Sequence, residues 1–312
     1  MTSTTATQDD PAGAHSTLVR KSLQDEALVT GWRPLTDNCQ VVEARWPARH
    51  RFYIERGRYT PLIVTESLRQ ALALLTHTAH GIPLSHRLGW EHLRTTVAPT
   101  ALEAGPEPAE VELVIRHTEV TRRRLGSVHL ASRIEATRSG VPLGTATLRY
   151  STHPPVIYDR LRGPYADAEA AFARSLPLTA PVPASLVGRG RERDVVLSPT
   201  AEPHRWRLRV DTAHRVLFDH PHDHIPGMVL LEAACQAAQA VSAPRPVVPV
   251  ALDTTFTRYV EFDQPCHITA RQLTGPAPGP GGRVAIDAHQ GDRLVFSGTV
   301  TTRPDGEIPA GR

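Results

Sequence analysis

Lysine is almost missing from this chain of 312 residues. Lys21 is the only one among 35 basic side chains. Arginine is therefore the default cation, and an arginine at a given place says little about function by itself. Cysteine is scarce too: Cys39, Cys235 and Cys266 are odd in number and far apart. That excludes a disulfide framework or a CxxC metal site and predicts reduced thiols. No stretch of about 18 apolar residues occurs, so no transmembrane helix and no membrane partner is expected. The opening residues MTSTTATQDDPAGAHST lack the basic and apolar blocks of a signal peptide, which makes the cytoplasm the expected compartment. The formal net charge is only +3, acidic residues are spread throughout, and no helix-turn-helix pattern stands out. A nucleic-acid partner is not expected. Hydrophobic residues at 40% and charged residues at 21% are an ordinary globular balance, and the length allows two domains with separate cores.

What the chain does have is a repeat. FYIERGRYTPLIVTESLRQA (Phe52–Ala71) aligns without a gap on FDHPHDHIPGMVLLEAACQA (Phe218–Ala237), at an offset of 166. Phe52 falls on Phe218, Glu66 on Glu232 and Gln70 on Gln236. Matches at polar positions matter most, because apolar matches between buried helices are common. After each helix come short runs rich in Val, Thr and Leu, broken by Gly or Pro. In the first half these are 94–97, 111–116, 127–137 and 144–151; in the second, 254–259, 267–270, 283–288 and 294–301. A further strand candidate precedes each helix, at 39–45 and 205–210. One strand, a long helix, then several strands predicts an α+β fold, each helix packed on an antiparallel sheet. The expected division is a disordered tail over 1–16, a first domain over 17–151, a proline-rich semi-rigid linker over 152–183 with a short helix near 167–175, a second domain over 184–302, and a disordered tail over 303–312.

The stretch GMVLLEAACQAAQAV (Gly227–Val241) is apolar nearly all round, so it predicts a buried helix. Pro226 and Gly227 suit its first turn. Glu232 and Gln236 share a face, and no cation lies within the helix to pair with the carboxylate. An unpaired buried carboxylate has its pKa raised, which is the profile of a general acid or base; an arginine from elsewhere is the structural alternative. In the first half Glu66, Arg69 and Gln70 stand at i, i+3 and i+4. Arg69 either makes an intrahelical ion pair or turns to the pocket to hold an anion. The loop FDHPHDHIPG gathers Asp219, His220, His222, Asp223 and His224. Metal binding, a His–Asp proton carrier and helix capping all fit these residue types, although the spacing matches no standard zinc motif. First-turn N–H groups at Gly227 and Met228 could polarise a thioester carbonyl.

The PG step followed by Glu and Gln (Pro226, Gly227, Glu232, Gln236) resembles the hotdog-fold β-hydroxyacyl-carrier-protein dehydratases, with His220 nearest to their catalytic histidine. FDHPHDHIPGMVLLEAACQAA, with HRFY (His50–Tyr53), GRY (Gly57–Tyr59) and TESLRQA (Thr65–Ala71), is more closely similar to the A-factor synthase family of γ-butyrolactone biosynthesis. The resemblance implies a double hotdog that transfers a β-ketoacyl group from acyl carrier protein to the hydroxyl of dihydroxyacetone phosphate. The ester then condenses with itself to a butenolide phosphate, the precursor of a signalling lactone. No cofactor or metal is implied. It places Glu66 or Glu232 as the proton acceptor, aided by His224 and His220, and Arg69, with Arg58 or Lys21, on the phosphate. Tyr53, Gln70, Asp219, Asp223, Gly227, Met228 and Gln236 would line the substrate. Family helices read E-x-x-R-Q in both halves, whereas Cys235 stands where the second Arg is expected, and this leaves the acceptor open. A dehydratase, a thioesterase or a non-catalytic acyl or lactone binder are the alternatives.

Overall fold

In the computed structural model, which describes residues 11–274 and 281–305, two long helices lie against one continuous antiparallel sheet. Helix α1 spans Pro11–Leu18. In the first half follow β1 (Val29–Thr36), β2 (Cys39–Trp46), the short pair β3 (Ile54–Glu55) and β4 (Arg58–Tyr59), and α2 (Leu62–Thr78). Then come β5 (Arg87–Val97), β6 (Ala109–Arg122), β7 (Val128–Arg138) and β8 (Val141–His153). The connector carries α3 (Pro155–Arg162) and α4 (Ala168–Ala173). The second half holds β9 (Leu197–Pro199), β10 (Arg205–Leu208), α5 (Gly227–Ser242), β11 (Val247–Phe256), β12 (Cys266–Gln272), β13 (Arg283–Gln290) and β14 (Arg293–Pro304).

The sheet order is β1-β2-β6-β7-β8-β5-β11-β14-β13-β12-β10-β9. Read from either end, the order is the same element by element. The halves join where β5 pairs with β11, from Thr96 opposite Ala251 to His92 opposite Thr255. Each sheet half wraps one helix, so α2 and α5 bury nearly every side chain; α5 is apolar nearly all round, whereas α2 also buries Thr65, Glu66, Ser67 and Gln70. The apolar residues of both halves form one connected core, and hydrophobic burial across the seam binds the halves into one body.

All ten strand candidates are present, with shifted ends; of the one at 254–259 only 254–256 is strand, the last part of β11, which begins at Val247. Four strands escape the sequence: β1, the two-residue pair β3 and β4, and β9. β1 (VTGWRPLT) carries Gly, Pro and mostly exposed side chains, and β9 has only three residues. The tails also differ from expectation. Residues 11–16 lie in α1, and β14 runs to Pro304; residues 1–10 and 306–312 fall outside the described residues. The connector is not merely extended. Its HPP step starts a helix, because proline at the first helical position removes no bonded N–H.

Candidate functional site

Two cavities flank the helix pair, one for each half. The first, about 390 Å³, lies between α2, the loop before α5, the first turn of α5, β5 and α3. Its inner wall is Glu66, 2% exposed, gripped by Arg69 and Lys21. Arg69 donates from Nε and Nη2 to the two carboxylate oxygens at 2.9 and 2.7 Å, and Lys21 Nζ stands 3.4 Å away. Burial alone would raise the Glu66 pKa, but Arg69 and Lys21 outweigh it and hold it at about 2. So Glu66 is a fixed anion between two cations, and Arg69 lines the cavity.

Gln70 faces the chain instead. Its Oε1 accepts from the N–H of Leu28 and Val29 at 2.7 and 3.3 Å, and its Nε2 donates to the Glu26 carbonyl and to Glu66. Every polar atom of the amide is spent on pinning the entry to β1. Tyr53 is buried at the cavity wall, and burial and then Glu66 push its phenol well up.

The opposite wall is the loop from the second half. Asp219 accepts from the Ser22 N–H at 2.8 Å and meets His220 Nδ1 at 2.8 Å. Burial opposes its charge, but His220, Lys21 and Ser22 hold its carboxyl far below the usual range. The rings of His220 and His222 lie 4.1 Å apart, and burial, then His220 and His224, push His222 down to about 3. Asp219, His220 and His222 offer ligand atoms within 4.8 Å of one another, a spacing a divalent cation could bridge, although Asp219 already serves Ser22 and His220.

Asp223 is the best-braced side chain here. One oxygen meets His224 Nδ1 at 3.0 Å; the other accepts from Tyr158 Oη at 2.5 Å and Arg162 Nε at 2.9 Å. Arg162 is itself clamped by both oxygens of Glu261, at 2.7 and 2.8 Å, and lies over the Tyr259 ring at 4.3 Å. Tyr259 packs against His224, ring centres 4.7 Å apart. With Nδ1 committed to Asp223, the far ring nitrogen of His224 is the one able to exchange a proton. Gly227 opens α5 beside it, and a Cβ there would stand 3.0 Å from the Phe256 ring. The glycine lets the first turn approach the cavity, and the N–H groups of Gly227 and Met228 have no earlier helical carbonyl to bond.

The second cavity, about 920 Å³, lies around Glu232 and Cys235. The expected unpaired carboxylate is a correction. Arg189, 6% exposed and 43 residues upstream, donates to Glu232 at 2.7 Å from Nε and stands 2.6 Å away through Nη2. Gln236 repeats Gln70, accepting from the Val196 N–H at 3.0 Å and donating to the Asp194 carbonyl and Glu232. Both glutamines were expected on the substrate; their amides hold backbone instead. Cys235 has no charged role, since burial pushes its thiol far up, away from the thiolate a nucleophile needs. Arg58 lines this second cavity, paired to Asp305 at 3.1 Å, and so stands apart from Arg69.

The structure thus brings Lys21, Tyr53, Glu66, Arg69, Asp219, His220, Asp223, His224, Gly227 and Met228 around one cavity. It puts Arg58, Glu232, Cys235 and Gln236 around the other. Sequence reasoning missed Tyr158, Arg162 and Arg189. A signal for Arg189 existed: at an offset of 168, Lys21, Glu26 and Leu28 fall on Arg189, Asp194 and Val196, the same residues that serve Glu66 and Gln70.

Residues 2–154 and 170–304 each match the A-factor biosynthesis hotdog domain. A Streptomyces virginiae protein is 37% identical over 292 residues, covering 93% of this chain and 97% of its own. One from Streptomyces griseus is 40% identical over 297 residues, covering 92% and 94%. Both carry the name 2-oxo-3-(phosphooxy)propyl 3-oxoalkanoate synthase. Among solved structures, a protein assigned as an oleoyl thioesterase of Lactobacillus plantarum superposes with a TM-score of 0.52 at 13% identity, covering 85% of this chain and 96% of that one. This likeness carries the fold, a double hotdog.

Proposed function

Since the chain belongs to the A-factor biosynthesis hotdog family, we infer that it is an acyltransferase joining a 3-oxoacyl group to the hydroxyl of dihydroxyacetone phosphate, a step towards a γ-butyrolactone. The observation that carries the reading is the first cavity, with a cationic wall from one half facing a braced His–Asp pair and a helix start from the other. In our assignment Arg69 and Lys21 take the phosphate, with Glu66 aligning both cations. A group held at a pKa of about 2 is too weak a base to deprotonate a hydroxyl. That task falls to His224, which Asp223 orients and whose imidazolium Asp223 stabilises.

The acceptor hydroxyl oxygen bonds to the thioester carbonyl carbon while its proton passes to His224. The resulting oxyanion faces the N–H groups at the start of α5. Collapse expels the donor sulfur, which takes the proton back from His224. The donor is an acyl carrier protein thioester in this reading, supported by the resemblance that implied it and by the basic cavity rim at Arg20 and Arg87. Cys235, which left the acceptor open, lines the other cavity, so a phosphorylated acceptor needs nothing from it.

Incubating the purified chain with a β-ketoacyl carrier thioester and dihydroxyacetone phosphate tests this. Mass spectrometry is expected to find the phosphorylated ester or its butenolide, at the expense of both substrates. Release of free acid at the same rate with or without the acceptor would make the protein a thioesterase instead.

A further inference from the structure

One surface is left unexplained by the chemistry. The tip between β6 and β7 reads Arg122-Arg123-Arg124-Leu125-Gly126, all exposed, with Leu125 71% open to solvent. Its position is fixed. Arg122 donates to the His80 carbonyl at the end of α2, and Gly126, at a φ of 87°, lies so close to Pro154 that a Cβ would meet its ring at 3.0 Å. The sheet register places this tip in line with the cavity. Arg122 opposes Val128, Val128 opposes Thr152, and His153 opposes Arg87. Three strand spacings of about 4.8 Å put β6 roughly 14 Å from β5. Arg87 is exposed and lines the cavity mouth, beside Arg20.

The same end of the molecule exposes Val156 (78%) at the start of α3 and Leu84 (46%) in the loop that Arg20 pins through the carbonyls of Leu84 and His86. No acidic residue occurs in 84–90, 122–130 or 153–158, although the exposed Glu119 and Asp159 lie just outside these stretches. The nearby Glu91 is engaged by His129 and Arg149. Burial, then the neighbouring Arg87 and Arg69, bring Arg20 down to about 10. A solvated apolar residue next to three consecutive arginines gains nothing in the free chain, but it is what an interface with a charged partner needs.

We propose that the Arg122–Leu125 tip, Arg87, Leu84 and the exposed start of α3 form the docking face for an acidic acyl carrier protein, which sits there while its acyl thioester enters the first cavity. This rests on the carrier-donor reading above and names the surface that reading requires. Charge complementarity picks the partner: an acidic helical face matches the arginines and covers Leu125 and Val156.

The test is Arg123→Glu combined with Arg124→Glu. Neither side chain is part of the cavity. With carrier-bound donor, KM is expected to rise about tenfold or more and to lose most of its salt dependence, while kcat holds. With a small soluble thioester of the same acyl group, both constants are expected to stay at wild-type values, which also shows that the variant folds. An unchanged KM for the carrier donor overturns the docking face, and so does an equal loss with both donors. Unchanged donor KM together with lost sedimentation on phosphatidylglycerol vesicles would give the surface to a membrane. If the wild type itself used carrier-bound and small thioesters equally well, the carrier reading fails, which is a different result from failure of the docking face.

Discussion

At Glu66 a buried carboxylate is held by Lys21 and Arg69; at Glu232 it is held by Arg189, with Cys235 where a second cation would stand. Each helix also sends a glutamine to hold the entry of its own half's first strand. The repeated Glu and Gln are thus framework. The difference lies in what the opposite half lays over them. Over Glu66 comes FDHPHDHIPG, rich in histidine and aspartate. Over Glu232 comes FYIERGRYTP, whose Glu55 faces Arg189 and whose Arg58 is paired with Asp305. Both cavities hold paired charges, but only the first adds histidines, His220, His222 and His224, to its lining. In the proposed assignment, chemistry follows the covering loop rather than the helix.

The largest effect that sharpens this contrast is expected from His224→Ala, a fall in kcat of about 10² to 10⁴ with the fold intact. Turnover near wild type would put the proton acceptor elsewhere and remove the contrast. Next comes Arg69→Ala, which should raise KM for dihydroxyacetone phosphate about ten- to a hundredfold, as loss of charge-assisted bonds to a phosphate does. Cys235→Ser, in the other cavity, should leave that KM alone. A third variant separates stability from chemistry. Glu232→Gln leaves the buried Arg189 with only Glu55, 3.7 Å away, as its anion and is expected to lose about 3 kcal/mol in urea unfolding, while turnover per folded molecule persists. Turnover lost in proportion to the destabilised pair would make the second cavity a working site.

The last expected effect is a matter of pH. The pKa of His222 falls from 6.5 to about 3 on folding, so between these values the unfolded chain binds the extra proton. Stability is expected to decline as pH drops from 6.5 towards 3, and a His222→Gln variant should show a shallower decline over that window. Identical slopes would mean that His222 is as accessible to protons folded as unfolded.

Much of this was legible in the chain because it is written twice. The paired helices, the strands after them and the His/Asp loop stand out through periodicity and through identity at polar positions. The parts that stayed hidden have physical reasons. Arg189 sits 43 residues before the carboxylate it serves, and proximity in a fold is not proximity in sequence. In an arginine-rich chain with one lysine, GRGRERD draws no notice. Tyr158 and Arg162 lie in a proline-rich connector that reads as spacer, yet α3 turns them inward onto Asp223. Glu232, isolated in its own helix, gains a partner only in three dimensions.

The seam between β5 and β11 has a consequence for how such a protein can change. Were the two halves separate identical subunits, each substitution would appear in both cavities at once, and Cys could replace Arg in one only by replacing it in the other. A covalent duplicate has no such constraint. Half of the chain can give up a cation, a histidine or a loop while its twin keeps them, and the twelve strands go on sharing one sheet. The inequality of the two cavities is a freedom that tandem linkage permits and symmetry would forbid.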